Sequence, residues 1–468
     1  MSKPTFILQA PLWTRSGYGD LAVDIAKSVQ RYNKFDLHLA PTVWGACSKK
    51  NLTEELIDPE GKELLGRVLQ SPLQKQPDVF MQITIPNEYS TPAKYNIGLT
   101  AGIETTVPRP EWIEGLNRMN YNLVTSVHAR DVFAHANYNK KLPDGSSEEL
   151  KVKSPMEVLF WGANTKKYFK TSEKVASLEE SMKSIHEEFC FLFVGQWTSN
   201  NMMSDRKAIG FLIKTFLETF ANTNNPPALI LKTSGAQICV MDKYDCIKRI
   251  NEVTNVVKST LPPGSKLPNI YLLHGELEDN EMNALYNHEK VKVHTSFTHG
   301  EGYGHPLLLA TLSGKPLLAP AWSGHLDFLN PKLSTYFGGS VDPIPNEAIN
   351  DWFVKDARWF NVDYADAGQK MKYYFNNYGG RILENAESLR VENMEKFSLK
   401  SMDEKFHAIL DKNIPTFVTE EKIILPKLKK LNLPTVNTPS APVTFGGCSP
   451  SNVDTTSKTT TDTTLTKV

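Results

Sequence analysis

THGEGYGHPLLLATLSGKPLLAPAWSGHLDFL, residues 298–329, is the stretch whose reading decides the fold. Just before it, residues 291–296 (VKVHTS) form a short apolar run that predicts a buried strand. The strand gives way to a loop of small residues, 299–304. That loop enters an apolar segment with a glycine stop at Gly314, and a second apolar run, 316–320, follows at once. Strand, glycine loop, short helix and strand make half of an open α/β sheet. In such sheets ligands enter the crevice at the carboxyl ends of the strands, where a helix N-terminus receives anions. Gly302 and Gly304 lack a Cβ, so the backbone there is expected to approach a ligand closely. Glu301 is out of place beside phosphate, which its carboxylate repels; as a pure acceptor it suits sugar hydroxyls.

Length and composition set the frame. With 468 residues, two domains are expected, each large enough for a full core. Charged residues are 22% and apolar residues 40%, which places the chain among ordinary globular proteins. Lys+Arg and Asp+Glu are both 52, a net charge of zero that argues against a nucleic-acid coat or a strongly basic membrane surface. Cys47, Cys190, Cys239, Cys246 and Cys448 form no C-x-x-C pair, so reduced structural thiols in a cytoplasmic protein are expected. MSKPTFILQAPLW shows no signal-peptide pattern, and no run approaches the ~18 apolar residues that span a bilayer.

Outward from the opening stretch, strands and helices alternate. Residues 5–10 read as a first strand, with the loop 13–19 and a helix capped by Asp20 behind it. Gly17-x-Gly19-x-x-Ala22 fits a dinucleotide fingerprint, but its acidic partner at the end of the second strand is missing. Helices at 54–69, 111–119 and 128–137 and strands at 78–84, 95–102 and 122–127 continue the rhythm of a parallel sheet. Residues 141–155 read as a surface loop. A second unit opens with the strand 189–195, and strands 228–233 and 269–274 and helices 244–261 and 280–288 extend it. Ile209, Leu212, Ile213, Phe216, Leu217 and Phe220 make one helical stripe, begun at Ser204. Arg206 and Lys207 in its first turn would oppose the macrodipole by roughly 0.3–1 kcal/mol each unless an anion binds there. Helices are expected at 359–378 and 393–410, an extension that packs on a domain face at 413–434, and a disordered Thr-, Ser- and Pro-rich tail at 435–468.

On these residues the chain resembles the retaining, nucleotide-sugar-dependent glycosyltransferases of family 4. The family segment EGFGLPLLEAMACGTPVVA corresponds here to EGYGHPLLLATLSGKPLLA, residues 301–319. The second glutamate of the family's E-x(7)-E pattern falls at Leu309. SGYG at 16–19, IGLTAGIETTVPRPEW at 97–112, LVTSVHARDVF at 123–133 and EVLFWGANTKKYF at 157–169 resemble further family segments, with Asn164 where Asp is usual. Lys207 aligns with the lysine that contacts the donor diphosphate; the family's arginine is Gln196, and Arg206 is expected to supply that charge.

The resemblance implies an α/β protein of GT-B architecture, two Rossmann-like domains facing each other across a cleft. Residues 1–160 would form the acceptor side, 161–395 the donor side, and 396–412 a helix returning to the first domain. It also implies transfer of a sugar from a nucleotide-diphosphate sugar, with retention, to a glycan, lipid-linked or protein acceptor. Glu301 and Glu104 are the implied catalytic residues, and Gly17, Gly19, Arg206, Lys207, Gly302, Tyr303 and Gly304 would bind the donor. No cofactor or metal is expected: His294, His299, His305 and His325 cluster in sequence, but no H-E-x-x-H, D-x-D or P-C-x-x-C accompanies them. Peripheral membrane contact and nucleic acid are lesser partner readings. A transferase acting on modified DNA bases and an inactive binding or scaffold protein are the alternatives, the latter motivated by Leu309 and Gln196.

Overall fold

The computed structural model describes residues 3–45, 59–71, 73–235, 239–417 and 464–467. The first domain contains β1 (Thr5–Ala10), α1 (Gly17–Tyr32), β2 (Asp36–Pro41), α2 (Pro59–Leu65), β3 (Val79–Ile83), β4 (Tyr95–Thr100), α3 (Pro110–Arg118), β5 (Tyr121–Val124), α4 (Val127–His135), β6 (Tyr138–Lys141), β7 (Ser147–Leu150) and β8 (Met156–Val158). Its main sheet runs β2-β1-β3-β4-β5-β8, parallel throughout, and a bridge from Leu39 to Val68 continues it beyond β2. Parallel strands are covered on both faces, which is why β1 and β3 are apolar almost end to end.

The second domain contains α5 (Ala176–Met182), β9 (Cys190–Val194), α6 (Ile209–Phe220), β10 (Ala228–Lys232), α7 (Val240–Thr260), β11 (Ile270–His274), α8 (Asp279–Asn287), β12 (Val291–Thr295), α9 (His305–Thr311), β13 (Leu317–Pro320), β14 (Thr335–Phe337), β15 (Gly339–Pro343), β16 (Arg358–Val362), α10 (Tyr364–Asn376), α11 (Gly380–Lys396) and α12 (Leu399–Asn413). Its sheet runs β14-β13-β12-β9-β10-β11 in parallel, and β17 (Thr464–Lys467) adds antiparallel to β11. In each sheet the chain order reverses beside one strand, at β1 in the first and β9 in the second. Loops at the carboxyl ends of such strands diverge and leave a crevice.

Several expectations change. Ser16, not Asp20, caps α1: its Oγ accepts from the Gly19 amide at 3.1 Å, which leaves Asp20 inside the first turn. Residues 141–155 hold the second half of an antiparallel hairpin, β6 with β7. The stretch expected as a helix from 359 opens as strand β16, paired with β15, and α10 starts only after Asp363 accepts from the Ala365 and Asp366 amides. The expected helix 393–410 is two helices, α11 beginning at Gly380 and α12 capped by Ser398. Of the expected helix 54–69, α2 covers Pro59–Leu65, and residues 54–58 lie outside the described residues. The 413–434 extension lies almost wholly outside them, as does the tail except Thr464–Lys467, which pairs with β11.

α12, the last helix among the described residues, ties the second domain back to the first. α12 packs on α1, where Arg31 donates to both Asp403 oxygens, at 2.7 and 3.0 Å. Gly162 in the connection between domains runs against Ser398, whose carbonyl would lie 2.5 Å from any Cβ there.

Candidate functional site

The glycine loop follows β12 and is buried from Thr298 to Gly304. His299 is fixed from three sides. Its amide donates to the Arg206 carbonyl at 2.8 Å, its Nδ1 meets the Phe360 carbonyl at 2.7 Å, and its ring stacks on Trp359. The Glu301 amide donates to Ser323 Oγ at 2.9 Å. Ser323 holds a φ of 80°, a left-handed conformation costing about 1–3 kcal/mol in a residue with a Cβ.

What approaches the glycines is the other domain. A Cβ at Gly302 would lie 2.2 Å from the Ala101 carbonyl, and one at Gly300 would lie 2.0 Å from that of Glu104. Ser126 Oγ donates to the Gly302 carbonyl at 2.6 Å. The expectation that Gly302 opens the backbone to a ligand is therefore corrected: its missing side chain lets the domains meet. Gly304, at φ 90°, turns the chain into α9, with His325 Cβ 3.0 Å from where its own Cβ would stand. The Tyr303 ring lies in the core. The expected anion-receiving helix is α9, only seven residues long and with Pro306 in its first turn, so it offers little of the dipole expected of it.

The charged residues assemble around this loop. α6 begins at Ile209, so Arg206 and Lys207 sit in the turn before it and not in its first turn. Asp205 accepts from the Ile209 amide at 2.9 Å, and burial raises its carboxyl to about 6 against the pull of that bond. Lys207 Nζ meets Glu301 Oε1 at 2.5 Å, and Arg206 lies 3.5 Å from Glu301 and 3.6 Å from Glu104. Arg206 also donates to the Gly300 carbonyl at 2.6 Å. Burial alone would raise the Glu301 carboxyl, but the Lys207 and Arg206 cations outweigh it and hold the group at about 2. Burial pushes Lys207 down while Glu301 pulls it up. The 2.5 Å contact to an ionised carboxylate is that of a charged pair. Two cations and two carboxylates thus neutralise one another across the domain boundary.

The adjoining cavity, about 580 Å³, opens between the loop after β1, α1 and the carboxyl ends of β9 and β10. Arg15, Gly17 and Asp24 line it from the first domain, Trp161 and Asn164 from the connection, and Lys232, Glu278, His305 and Leu309 from the second. Gly17 thus faces the cavity. Gly19 does not: it is buried, and a Cβ there would lie 2.1 Å from the Thr14 carbonyl. Glu104, Arg206, Lys207 and Glu301 do not form its wall. Trp161 stacks flat on His305 at 3.5 Å, and Arg15 reaches across to Glu276 at 3.0 Å. Gln196 donates to the Gly235 carbonyl, tying the loops after β9 and β10 together. Sequence reasoning missed Trp161, Lys232 and Arg15; the available signal was that polar Lys232 ends an otherwise apolar strand.

No histidine cluster forms from the four close in sequence. Among the described residues, the group near enough to hold a metal is Asp242, Cys246 and His274. There His274 Nε2 meets Asp242 at 2.7 Å and the carboxylate accepts from the Gly235 amide, a set already satisfied internally.

The sequence matches no family model and no curated protein. Solved structures are nonetheless similar over almost their whole length. Anabaena HepE, in complex with UDP and glucose, aligns at a TM-score of 0.55 and 12% identity, over 87% of this chain and 99% of that one. Sucrose-phosphate synthase of Thermosynechococcus elongatus aligns at 0.56 and 10%, over 88% and 99%. A trehalose-6-phosphate protein of E. coli, bound with UDP-2-fluoro glucose, aligns at 0.55 and 10%, over 88% and 100%. The fold is GT-B. Within the GT-B frame, the cavity and the charged cluster both lie where the carboxyl ends of the two sheets face each other. Among the described residues of this GT-B chain, no helix is long and apolar enough to cross a membrane.

Proposed function

We propose that this chain transfers a sugar from a nucleotide-diphosphate sugar to an acceptor, with retention at the anomeric carbon. The observation that carries the reading is the cavity walled by both domains at the carboxyl ends of both sheets, whose wall includes His305 at the end of the glycine loop that carries Glu301. Its volume, about 580 Å³, is that of a small-molecule site. The nucleotide occupies this cavity and the sugar points toward Glu301.

In this scheme the donor's phosphates replace the carboxylates as partners of Arg206 and Lys207, which then stabilise the departing diphosphate. Glu301, released from Lys207, accepts from the sugar hydroxyls and fixes the ring. Glu104, held near Arg206 from the first domain, lies on the acceptor side. The contact of Gly302 with Ala101 and Ser126 keeps water from the reacting centre. The acceptor is a glycan, lipid-linked or protein group, and the protein acts in the cytoplasm without a metal.

Incubation with a panel of nucleotide sugars tests this. One donor should raise the melting temperature and be slowly hydrolysed. Silence toward every donor would favour the second reading, an inactive scaffold, which Leu309 at the cavity wall and the self-neutralised cations support.

A further inference from the structure

The cations on the cavity wall differ in their partners. Arg15 is paired with Glu276 at 3.0 Å and Lys167 with Asp279 at 2.6 Å. Lys232, the last residue of β10, is partly buried and has no carboxylate in ion-pair range among the described residues. Its Nζ donates to the neutral carbonyl of Gly275 at 2.6 Å. An ammonium carries three donors, so two remain beyond that bond. Lys232 pairs in register with Val194, the last residue of β9, and both line the cavity. The side chain therefore stands at the strand ends beside the point where this sheet reverses its order, the usual place for a ligand in such sheets. Glu276, in the loop after β11, and Glu281, on α8, face it electrostatically and favour its charge. Burial outweighs them and lowers the amine to about 8, a cation at the cavity wall that is incompletely compensated.

We infer that Lys232 is an anion contact on the wall of this cavity and receives a phosphate oxygen of a nucleoside phosphate lying across the ends of β9 and β10. The nucleoside part of that statement rests on the function proposed above; the phosphate contact rests on the wall itself. The assignment adds to that of Arg206 and Lys207, which lie outside the cavity wall and meet the donor's phosphates only in exchange for two carboxylates.

Titration calorimetry with inorganic diphosphate, and with UDP and GDP against uridine and guanosine, separates the two parts. Lys232→Met keeps the length of the side chain and removes the charge; Lys232→Arg restores it. The expected result is at least a tenfold loss of diphosphate and nucleoside diphosphate affinity in Lys232→Met, unchanged nucleoside affinity, and substantial recovery in Lys232→Arg. Diphosphate affinity within twofold of the wild type in Lys232→Met overturns the inference. So does an equal loss of nucleoside affinity, which marks a structural role, or a wild-type protein that binds none of the probes. Diphosphate binding that depends on Lys232, with no nucleotide bound more tightly than diphosphate alone, leaves the phosphate contact standing and removes the donor reading.

Discussion

Lys207 and Glu301 lie 94 positions apart and meet at 2.5 Å. Both residues stand out in the sequence, Glu301 because a carboxylate in a glycine loop needs an explanation and Lys207 because a cation at a helix start does. Their pairing was not legible, because no local period reports which side chains meet across two loops and a domain boundary. The pairing has energetic consequences. Glu301→Gln leaves Lys207 buried without its counter-ion, which should cost about 3–5 kcal/mol in urea unfolding. Lys207→Met in the same chain should recover part of that loss. The pH dependence has a definite sign. Folding lowers the Glu301 carboxyl from 4.5 to about 2, so its contribution is complete above the unfolded value and lost as pH falls from about 4.5 toward 2. Wild-type stability should therefore fall more steeply than that of Glu301→Gln over this window.

At the scale of elements, the apolar strands were the readable part. β1, β3 and β9 to β13 are short apolar runs with turn residues behind them, and that pattern survives without any tertiary information. β16 and α10 were fused in the sequence reading because RWFNV and YADAGQKMKYYFN are both rich in large apolar residues. The punctuation between them is Asp363, whose side chain accepts from two amides at the head of α10. Asp363→Ala should cost about 1 kcal/mol, seen as a lower urea midpoint at unchanged slope. The first half of α11 went unread because few of its residues are buried: Ala386, Leu389 and Asn393 over 17 positions. The glycine loop taught the sharpest lesson at this scale. Its glycines were read as space for a ligand, yet at Gly302 the neighbour is the Ala101 carbonyl. Gly302→Ala should destabilise by about 1–3 kcal/mol through overpacking and separate the domains. A lower melting temperature together with a larger radius of gyration in solution scattering would show both effects.

For the molecule as a whole, the alternation of strands and helices and the order of motifs make two facing α/β domains legible from the sequence alone. The return of α12 to α1 was legible only by resemblance, since Arg31 and Asp403 are separated by 372 positions. The cleft was legible by resemblance, but the full wall of its cavity was not, because Arg15, Trp161, Lys232 and Leu309 come from separate segments of the chain. A ligand that bridges both domains stabilises the folded, closed molecule in proportion to its affinity. The most direct test is the release of nucleoside diphosphate from a panel of nucleotide sugars by the wild-type protein and by Glu301→Gln at a temperature where both are folded. The account predicts release from one donor by the wild type and at least a hundredfold slower release by Glu301→Gln, about 2.7 kcal/mol in the barrier. Equal release by the two proteins would contradict it.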